Sequence, residues 1–426
     1  MNDVVNDRPI RSLDFSCLRI VSALGRGAKG VVFLVKDVES SESFALKVIW
    51  RDLIEKKSKE LTNNDNGDKY RRISFEQRVL RNVEHPLLPR LRGVLSTDKF
   101  VGYAIDYCPG RDLHSLRKQQ SEQMFSDDTI RFYAAELVLA LEYLHNMGIV
   151  YRDLKPENIM IQENGHIMLV DFDLSTKLSP KTPQASPKTV LAANTRSGIK
   201  KRRSFLSKFC SSGISLEDPV HSPRIGPDPP SRSDSDSSEK SNSFVGTEEY
   251  VAPEIIEGKG HDFAVDWWSL GVVLHEMLYG ATPFRGSSRK ETFYRILCRP
   301  PDLVGEPTPL RNLIRRLLEK DPTKRIGVEE IKGHEFFKGV NWELLLKISR
   351  PPNIPARFEH ENNESDGRGR DGTKEIDVEK FVQGIFAGGG DAEQKNEVND
   401  EMNKNRGGEK VNNQRHACEE DNFLVF

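Results

Sequence analysis

Four polar residues suited to chemistry stand close together in the stretch 148–173, which reads GIVYRDLKPENIMIQENGHIMLVDFD. They are Asp153, Lys155, Asn158 and Asp171. Two short apolar runs flank a Glu-Asn-Gly turn at 163–165, and this pattern predicts a β-hairpin. The hairpin would return Asp171 to the side of Asp153 and Asn158. Carboxylate and amide oxygens bind Mg²⁺ and a lysine neutralises phosphate charge, so the group suits metal-assisted phosphoryl transfer.

The composition of the chain limits the classes of protein to which it can belong. Its 426 residues suffice for one large bilobal domain with appendages or for two to three ordinary domains. Lys plus Arg (63) nearly balance Asp plus Glu (65), so no nucleic-acid partner is expected. The five cysteines lack CxxC spacing, which argues against a zinc site and for a reducing compartment. Without a secretion signal or a long apolar run, a soluble intracellular protein is expected.

A glycine-rich loop lies near the N-terminus. Apolar β runs between Phe15 and Val35 flank the sequence GRGAKGVV at 25–32, which has the pattern GxGxxGxV. Three glycines allow a tight turn whose backbone N–H groups approach phosphate oxygens closely. Taken alone, the pattern also fits an ordinary glycine-rich hairpin. A strand follows it and not a helix, which argues against a dinucleotide-binding βαβ unit.

The next apolar strand, predicted at 44–49, contains a single lysine, Lys47. Burying a lysine is costly unless it is paired. Its expected partner is Glu76, in the segment RISFEQRVLRNV at 72–83, where apolar residues share one helical face. A solvated helix charge is the alternative for Glu76. The polar, Asn-rich residues 55–69 are predicted to form a loop.

A further apolar strand, at 101–109, is predicted to form a hinge whose backbone groups hydrogen-bond an adenine ring. Ile105 would stand at the back of that pocket, and Asp106 and Cys108 would belong to the hinge. The Cys108 side chain is interpreted as a small hydrophobe and not as a redox group.

Apolar periodicity predicts a mainly helical second half of the chain. One segment covers 132–146, another begins near Asp266, and a third covers 310–318. Arg325 is expected to pair with Glu254 and so to pin the loop that carries this glutamate.

The composition changes abruptly after Asp173. Residues 174–242 are rich in Ser, Pro and Lys, and are too long for an ordinary loop and too polar to offset their ordering entropy. They are therefore predicted to be disordered. Within them, the basic run Lys200–Arg203 would address an anionic membrane surface or an import receptor, with a solvated charge run as the alternative. Ser204 is a candidate phosphosite.

The two ends of the chain are predicted to be largely disordered. Residues 1–14 are polar, and residues 361–418 are rich in Gly, Asn and Glu. An extended segment, RPPNIP at 350–355, precedes the second of these regions. The chain ends on the apolar sequence NFLVF at 422–426.

Together these motifs resemble a eukaryotic protein kinase over about residues 15–337. YRDLKPEN, VDWW, the PxxP segment and the terminal FxxF are similar to the AGC group of Ser/Thr kinases. The long insertion and Asp-Phe-Asp in place of Asp-Phe-Gly resemble its plant-specific branch. GRGAKGVVFLV, AIDYCPG and NFLVF resemble the oxidative-signal-inducible plant AGC kinases. The resemblance implies an α+β bilobal fold with a small β-rich N-lobe (15–107), a mainly helical C-lobe (108–337) and an AGC C-terminal tail (338–426).

The resemblance also implies a role for each matching site residue. Lys47 would hold the α- and β-phosphates of ATP. Asp153 would be the catalytic base and Lys155 would steady the γ-phosphate, while Asn158 and Asp171 would bind Mg²⁺. The full set of implied ATP-binding residues is Leu24, Gly25, Arg26, Gly27, Ala28, Lys29, Gly30, Val31, Val32, Lys47, Glu76, Asp106 and Cys108.

Control and specificity residues follow from the same resemblance. Ser243 matches the activation-loop phosphosite, and its phosphate would form charge-assisted bonds to Arg152. Asp112, Glu157 and Glu276 match the acidic positions by which this group prefers arginine upstream of the target Ser or Thr. Each of the three could equally be a surface charge.

Phe423 and Phe426 resemble the hydrophobic motif that docks in a groove on the small lobe. Burying two Phe side chains stabilises docking by roughly 3–6 kcal/mol. Closing a loop of about 65 residues costs about 4 kcal/mol, before the tail itself is ordered. The prediction is a weak self-dock that a partner outcompetes, as expected if an upstream phosphoinositide-dependent protein kinase reads the tail. A frayed terminus is the alternative.

Asp173 departs from the family pattern, since it replaces a glycine that tolerates backbone angles costly for a residue with Cβ. It is expected to restrict flipping of Asp171 without abolishing activity.

An active Ser/Thr kinase is favoured over a pseudokinase scaffold because every catalytic position holds a competent residue. A non-kinase phosphotransferase leaves the Ala-Pro-Glu and Asp-Trp-Trp segments unexplained. A charged surface hairpin explains any one site residue, but not the fixed offsets of all four.

The resemblance implies a monomeric kinase of oxidative-stress and defence signalling, in the cytoplasm and, as alternatives, the nucleus or the cell periphery.

Overall fold

The structure is a computed structural model that describes residues 10–27, 30–52, 65–178, 247–349, 351–355, 377–387 and 424–425. All of these residues belong to one compact unit. Most of the predicted insertion 174–242 lies outside the described residues, and so do Lys200–Arg203 and Ser204.

Six strands and one helix form the described part of the N-lobe. In chain order they are β1 (Ser12–Leu13), β2 (Leu18–Arg26), β3 (Gly30–Asp37), β4 (Ser43–Trp50), α1 (Asp65–Asn82), β5 (Leu91–Ser96) and β6 (Phe100–Asp106). The predicted apolar runs coincide with β2, β3, β4 and β6, and the glycine-rich loop joins β2 to β3 as expected.

The C-lobe is mainly helical. Its helices are α2 (Leu113–Lys118), α3 (Asp127–Asn146), α4 (Pro253–Ile256), α5 (Ala264–Tyr279), α6 (Arg289–Cys298), α7 (Pro309–Leu317) and α8 (Val328–Lys332). Between α3 and α4 lie the short strands β7 (Ile149–Val150), β8 (Ile159–Ile161), β9 (Ile167–Leu169) and β10 (Thr176–Lys177). The tail adds α9 (Val378–Ala387) and β11 (Leu424–Val425). The predicted bilobal α+β fold is confirmed.

The N-lobe sheet has the strand order β1-β5-β6-β4-β3-β2-β11. Strands β2 to β6 pair antiparallel, whereas β1 lies parallel to β5 and β11 parallel to β2. The register sets Val32 and Tyr103 opposite Lys47, and so decides to which face of the sheet the lysine belongs.

The opposite face of the sheet is apolar. Successive side chains of a strand alternate between faces, so the neighbours of Lys47 and Val32 in sequence point the other way. Val31, Phe33, Val35, Leu46 and Val48 are all buried in one cluster there.

The tail helix α9 covers this apolar face. Val378 and Val382 are buried in the same cluster, and the ring centroid of Phe381 lies 5.6 Å from that of Phe33. The prediction that residues 361–418 are mostly disordered is wrong at this helix. Its apolar residues are spaced by three and four, which is the pattern of one helical face and could have revealed it.

Three predicted boundaries also differ from the structure. Leu13 is buried and β1 pairs with β5, so the disordered N-terminus does not extend to residue 14. Helix α1 begins at Asp65, inside the loop predicted at 55–69, because its first turn is polar in sequence and carries no apolar periodicity. Strand β10 pairs with β7, so the chain remains ordered beyond residue 174 and as far as 178. Short edge strands carry too few residues for a pattern to predict them.

Replacing Val382 by aspartate should separate α9 from the sheet. Val382 is fully buried, so the variant loses about 1.5–3 kcal/mol of apolar burial and must also desolvate a carboxylate. We expect the melting temperature of the full chain, measured by calorimetry, to fall by roughly 4 °C or more. Gly384→Asp is the matched control, since a Cβ at this exposed position meets no atom within 4 Å. Equal melting temperatures for both variants would show that α9 does not stabilise the lobe.

Candidate active site

The predicted hairpin forms, with β8 and β9 paired antiparallel. The turn reverses at Gly165, whose φ of +85° suits a residue without Cβ. Beyond the turn, the N–H of Val170 donates to the carbonyl oxygen of Asn158 at 3.0 Å. This bond brings the chain back, just before Asp171, to the loop 151–158 that carries Asp153 and is predicted to be the catalytic loop.

The residues of the catalytic loop contact one another directly. Nδ2 of Asn158 donates to the backbone oxygen of Asp153 at 2.8 Å and to its Oδ2 at 3.0 Å. Nζ of Lys155 lies 3.0 Å from the same Oδ2. The hydroxyl of Thr247 lies 3.3 Å from Oδ1 of Asp153, a contact that the sequence did not indicate. These donors fix the orientation of the Asp153 carboxylate from both oxygens.

Lys47 reaches two carboxylates. Its Nζ is 3.3 Å from Oε1 of Glu76, the predicted partner, and 3.0 Å from Oδ1 of Asp171. The N–H of Phe172 also donates to Glu76, at 3.1 Å. Burial opposes the charge on Lys47, but Asp171 and then Glu76 outweigh burial and raise its pKa well above the usual value. The lysine therefore stays charged and links α1 to the residues that follow the hairpin.

A buried carboxylate on α5 accepts hydrogen bonds from the backbone of the catalytic loop. Asp266, in the first turn of α5, accepts the backbone N–H groups of Tyr151 at 2.9 Å and Arg152 at 2.8 Å. His145 lies 2.8 Å from the same side chain. Arg152 has a φ of +69°, which is costly for a residue with Cβ, and the bond to Asp266 holds it there. The sequence located Asp266 but gave no sign of its partners.

The glycine-rich loop is partly described. Ala28 and Lys29 lie outside the described residues, whereas Gly27 donates its N–H to the carbonyl oxygen of Gly30 at 2.8 Å and closes the turn. A Cβ on Gly30 would lie 2.0 Å from the carbonyl oxygen of Val48. The close packing of β3 on β4 is therefore sufficient reason for a glycine at this position. Leu24, Gly25, Arg26, Val31 and Val32 lie on β2 and β3, beside this turn.

The hinge residues follow β6. The carboxylate of Asp106 accepts from Nε of Arg92 at 2.6 Å, so its side chain turns toward β5. Cys108 is buried, with its Sγ 3.5 Å from Sδ of Met168, and Ile105 packs on the same small cluster. Burial raises the pKa of the Cys108 thiol, which agrees with its interpretation as a small hydrophobe.

Two of the three predicted substrate-binding acids already have internal partners. Asp112 caps the N-terminus of α2, where it accepts the N–H of Ser115 at 2.7 Å. Glu276 is buried, pairs with Nη2 of Arg117 at 2.9 Å and accepts the hydroxyl of Tyr250.

Glu157 differs from the other two acids. About a third of its side chain is exposed, and Nδ1 of His114 lies 3.5 Å from its Oε1. The role of all three acids toward a substrate stays a prediction.

Ser243, Phe423 and Phe426 lie outside the described residues. Leu424 and Val425, between the two phenylalanines, pair in parallel with Gly25 and Arg26 on the edge of β2. The terminal segment therefore joins the sheet edge beside the glycine-rich loop.

Comparison with known proteins identifies the family. The protein kinase domain family matches residues 18–195 and 231–337. Serine/threonine-protein kinase OXI1 of Arabidopsis thaliana is 59% identical over 432 residues, covering 99% of this chain and 99% of its own length. The chain belongs to the AGC family of serine/threonine protein kinases. Two further Arabidopsis thaliana serine/threonine-protein kinases, UCN and AGC1-7, are 44% and 38% identical over 82% and 80% of this chain, and over 86% and 64% of their own lengths.

The resemblance to plant AGC kinases is thus confirmed. In the described ranges, none of the helices is long and apolar enough to cross a membrane.

The predicted pair of Arg325 and Glu254 is present in the kinase. Nη1 and Nη2 of Arg325 bind the two carboxylate oxygens of Glu254 at 2.7 and 2.9 Å, with both side chains buried. The pair holds the start of α4, and with it the segment after Thr247, against the C-lobe.

Removing one partner of this pair should destabilise the kinase strongly. Arg325→Ala leaves the Glu254 carboxylate buried without its countercharge, which costs about 3–5 kcal/mol of unfolding free energy in denaturant titrations. The control is Arg316→Ala, which breaks the exposed contact with Glu330 at 2.8 Å and should cost at most about 1 kcal/mol. Equal losses in the two variants would refute a stabilising role specific to the buried pair.

Proposed function

We propose that the kinase transfers the γ-phosphate of Mg-ATP to serine and threonine hydroxyls of protein substrates. The proposal rests on one arrangement. Lys47 is paired with Glu76 and Asp171, and the oriented carboxylate of Asp153 lies beside Lys155. This is the set of charges that phosphoryl transfer needs, since catalysis there consists of positioning and electrostatic stabilisation.

The residues present fit a divalent cation. Oδ1 of Asn158 is buried and accepts no hydrogen bond from the described residues, while its Nδ2 faces Asp153. A buried oxygen left without a donor suits a hard cation. Asn158 and Asp171 would hold Mg²⁺, which when bound neutralises charge on the phosphates.

The chain's own groups have separable tasks. Asp153 would accept the proton of the substrate hydroxyl, since Asn158 and Thr247 hold its carboxylate in one orientation. Lys155 would lower the charge of the transferred phosphate. Lys47 would bind the other phosphates, kept charged by the neighbouring carboxylates.

The same proposal divides the chain into an N-lobe that ends at residue 107, a C-lobe that ends at residue 337 and a tail. It also includes the other ATP-binding residues that the resemblance implies. Activation would follow phosphorylation of Ser243, whose phosphate would bind Arg152. The terminal FxxF would recruit an upstream phosphoinositide-dependent protein kinase. That partner would have to compete with the pairing of β11 on the edge of β2. We also propose a role in plant oxidative-stress and defence signalling, which the resemblance to the oxidative-signal-inducible AGC kinases implies.

Asp171→Ala should abolish phosphotransfer to a peptide, whereas Asp173→Gly should retain it. Asp171 contacts Lys47 and offers a cation ligand, so its loss removes both functions. Asp173 is not among the described residues with a positive φ, so the aspartate is unstrained in this conformation and glycine is not required. Activity is measured as radiolabelled phosphate incorporated at saturating Mg-ATP. Full activity of Asp171→Ala would contradict the proposed chemistry, and an inactive Asp173→Gly would contradict the assignment of Asp173 as a tolerated variant.

Arginine preference should depend chiefly on Glu157. About a third of the Glu157 side chain is exposed, and its buried Oε2 accepts no hydrogen bond from the described residues, whereas Asp112 caps a helix and Glu276 is paired with Arg117. For Glu157→Gln we expect kcat/KM to fall about tenfold for a peptide with arginine upstream of the target serine. This fall reflects the loss of one charge-assisted bond, which is worth about 1.5–3 kcal/mol. For a peptide with alanine at that position, kcat/KM should change little, because alanine offers no charge for Glu157 to bind. Equal losses for both peptides would reject arginine recognition by Glu157.

A further inference from the structure

A buried histidine contacts the arginine that precedes the catalytic aspartate. His261 lies between α4 and α5, is 2% exposed, and has its Nε2 at 3.3 Å from Nη1 of Arg152. A guanidinium has donors only, so the imidazole nitrogen must accept. The contact therefore requires a neutral ring with its proton on Nδ1.

The surroundings of His261 favour that neutral ring. Burial, and then the charge of Arg152, lower the pKa of the imidazole. Asp266 on α5, Glu254 on α4 and the neighbouring Asp262 oppose this shift but do not reverse it. Glu254 is already paired with a buried arginine, and Asp266 accepts two backbone N–H groups.

Arg152 is restrained from several directions. Its backbone is held in the left-handed region by Asp266, and its Nε donates to the carbonyl oxygen of Leu174 at 2.6 Å. Leu174 directly follows the Asp-Phe-Asp sequence that carries Asp171. Arg152 thus connects the catalytic loop to the start of the activation loop, and His261 holds the outer end of its guanidinium.

We propose that His261 is a positioning residue for phosphotransfer, which orients the guanidinium of Arg152 by accepting its Nη1–H. The orientation matters in two ways. It preserves the bond from Arg152 to Leu174, and it would hold the guanidinium in place for a phosphate on Ser243. The second way rests on the proposed binding of phosphorylated Ser243, whereas the first does not.

Acidic pH tests the proposal. Because the pKa of His261 is lowered, the folded kinase keeps the ring neutral until the pH falls below about 6.5, the ordinary histidine value. Protonation below that range places two positive charges in contact and removes the acceptor. Activity that depends on this contact is present at neutral pH and is lost as the pH falls through the lowered pKa.

The experiment compares full-length wild type, His261→Gln and His261→Ala from pH 5 to 8, with the fraction phosphorylated at Ser243 matched by mass spectrometry. Glutamine offers an amide oxygen that accepts from Arg152 and does not titrate. We expect His261→Ala to lose about three- to tenfold in kcat at pH 7.5, and His261→Gln to retain most of it. The ratio of His261→Gln to wild-type activity should rise as the pH falls below 6.5 toward 5. Parallel pH profiles, or full activity of His261→Ala, would overturn the proposal.

A second measurement does not depend on activity. Nitrogen NMR of ¹⁵N-histidine-labelled kinase should assign to His261 a titration below pH 6.5 and the Nδ1–H tautomer. An Nε2–H tautomer would overturn the proposal even if the alanine variant failed to fold. Ser243→Ala is assayed alongside. If it retained wild-type activity, the activation proposal would fail while the comparison of the His261 variants still measured the contact with Arg152.

Discussion

The active site depends on the hydrogen bonds between the buried carboxylate of Asp266 and the backbone of the catalytic loop. A charge inside a protein is tolerated only when donors replace its hydration, and two backbone N–H groups of the catalytic loop supply them. The same bonds hold Arg152 at a positive φ that it would not otherwise adopt. Stabilising the carboxylate and shaping the loop are therefore one event. Asp153 follows Arg152 directly in the chain, so the bonds to Asp266 on the hydrophobic helix α5 also fix the position of Asp153.

Lys47 connects the two lobes by a similar compensation. Its ammonium lies between Glu76 of the N-lobe and Asp171 of the segment after the hairpin. Burying either carboxylate without the lysine would cost more free energy than burying it beside the lysine. Burial raises the pKa of Glu76, opposed by Lys47, while Lys47 lowers that of Asp171 against the effect of burial. The three groups thus form a single charge cluster. Movement of α1 would break the contact of Glu76 with Lys47 and leave Asp171 as the remaining carboxylate beside the lysine.

The tail contacts the N-lobe at two places, one by apolar burial and the other by backbone hydrogen bonding. Helix α9 buries apolar side chains on the outer face of the sheet, which is a non-directional and area-dependent attraction. Strand β11 instead adds backbone pairing to the edge at Gly25 and Arg26. The first contact keeps the tail near the lobe, and the second meets the strand that leads into the glycine-rich loop.

Patterns along the chain were enough to predict most of the local elements and the residues proposed to act in phosphotransfer. Periodicity marked the long helices and the central strands, and fixed offsets marked Asp153, Asn158 and Asp171, because both signals arise from neighbours along the chain. The partner of Lys47 was predictable because burial of a lone lysine demands a carboxylate. Tertiary structure decided the rest. The second partner of Lys47, the donors to Asp266, the internal partners of Asp112 and Glu276, the edge strand β1 and the contact of His261 with Arg152 all join residues distant in sequence. No local pattern encodes such contacts, since they arise only when packing brings the elements together.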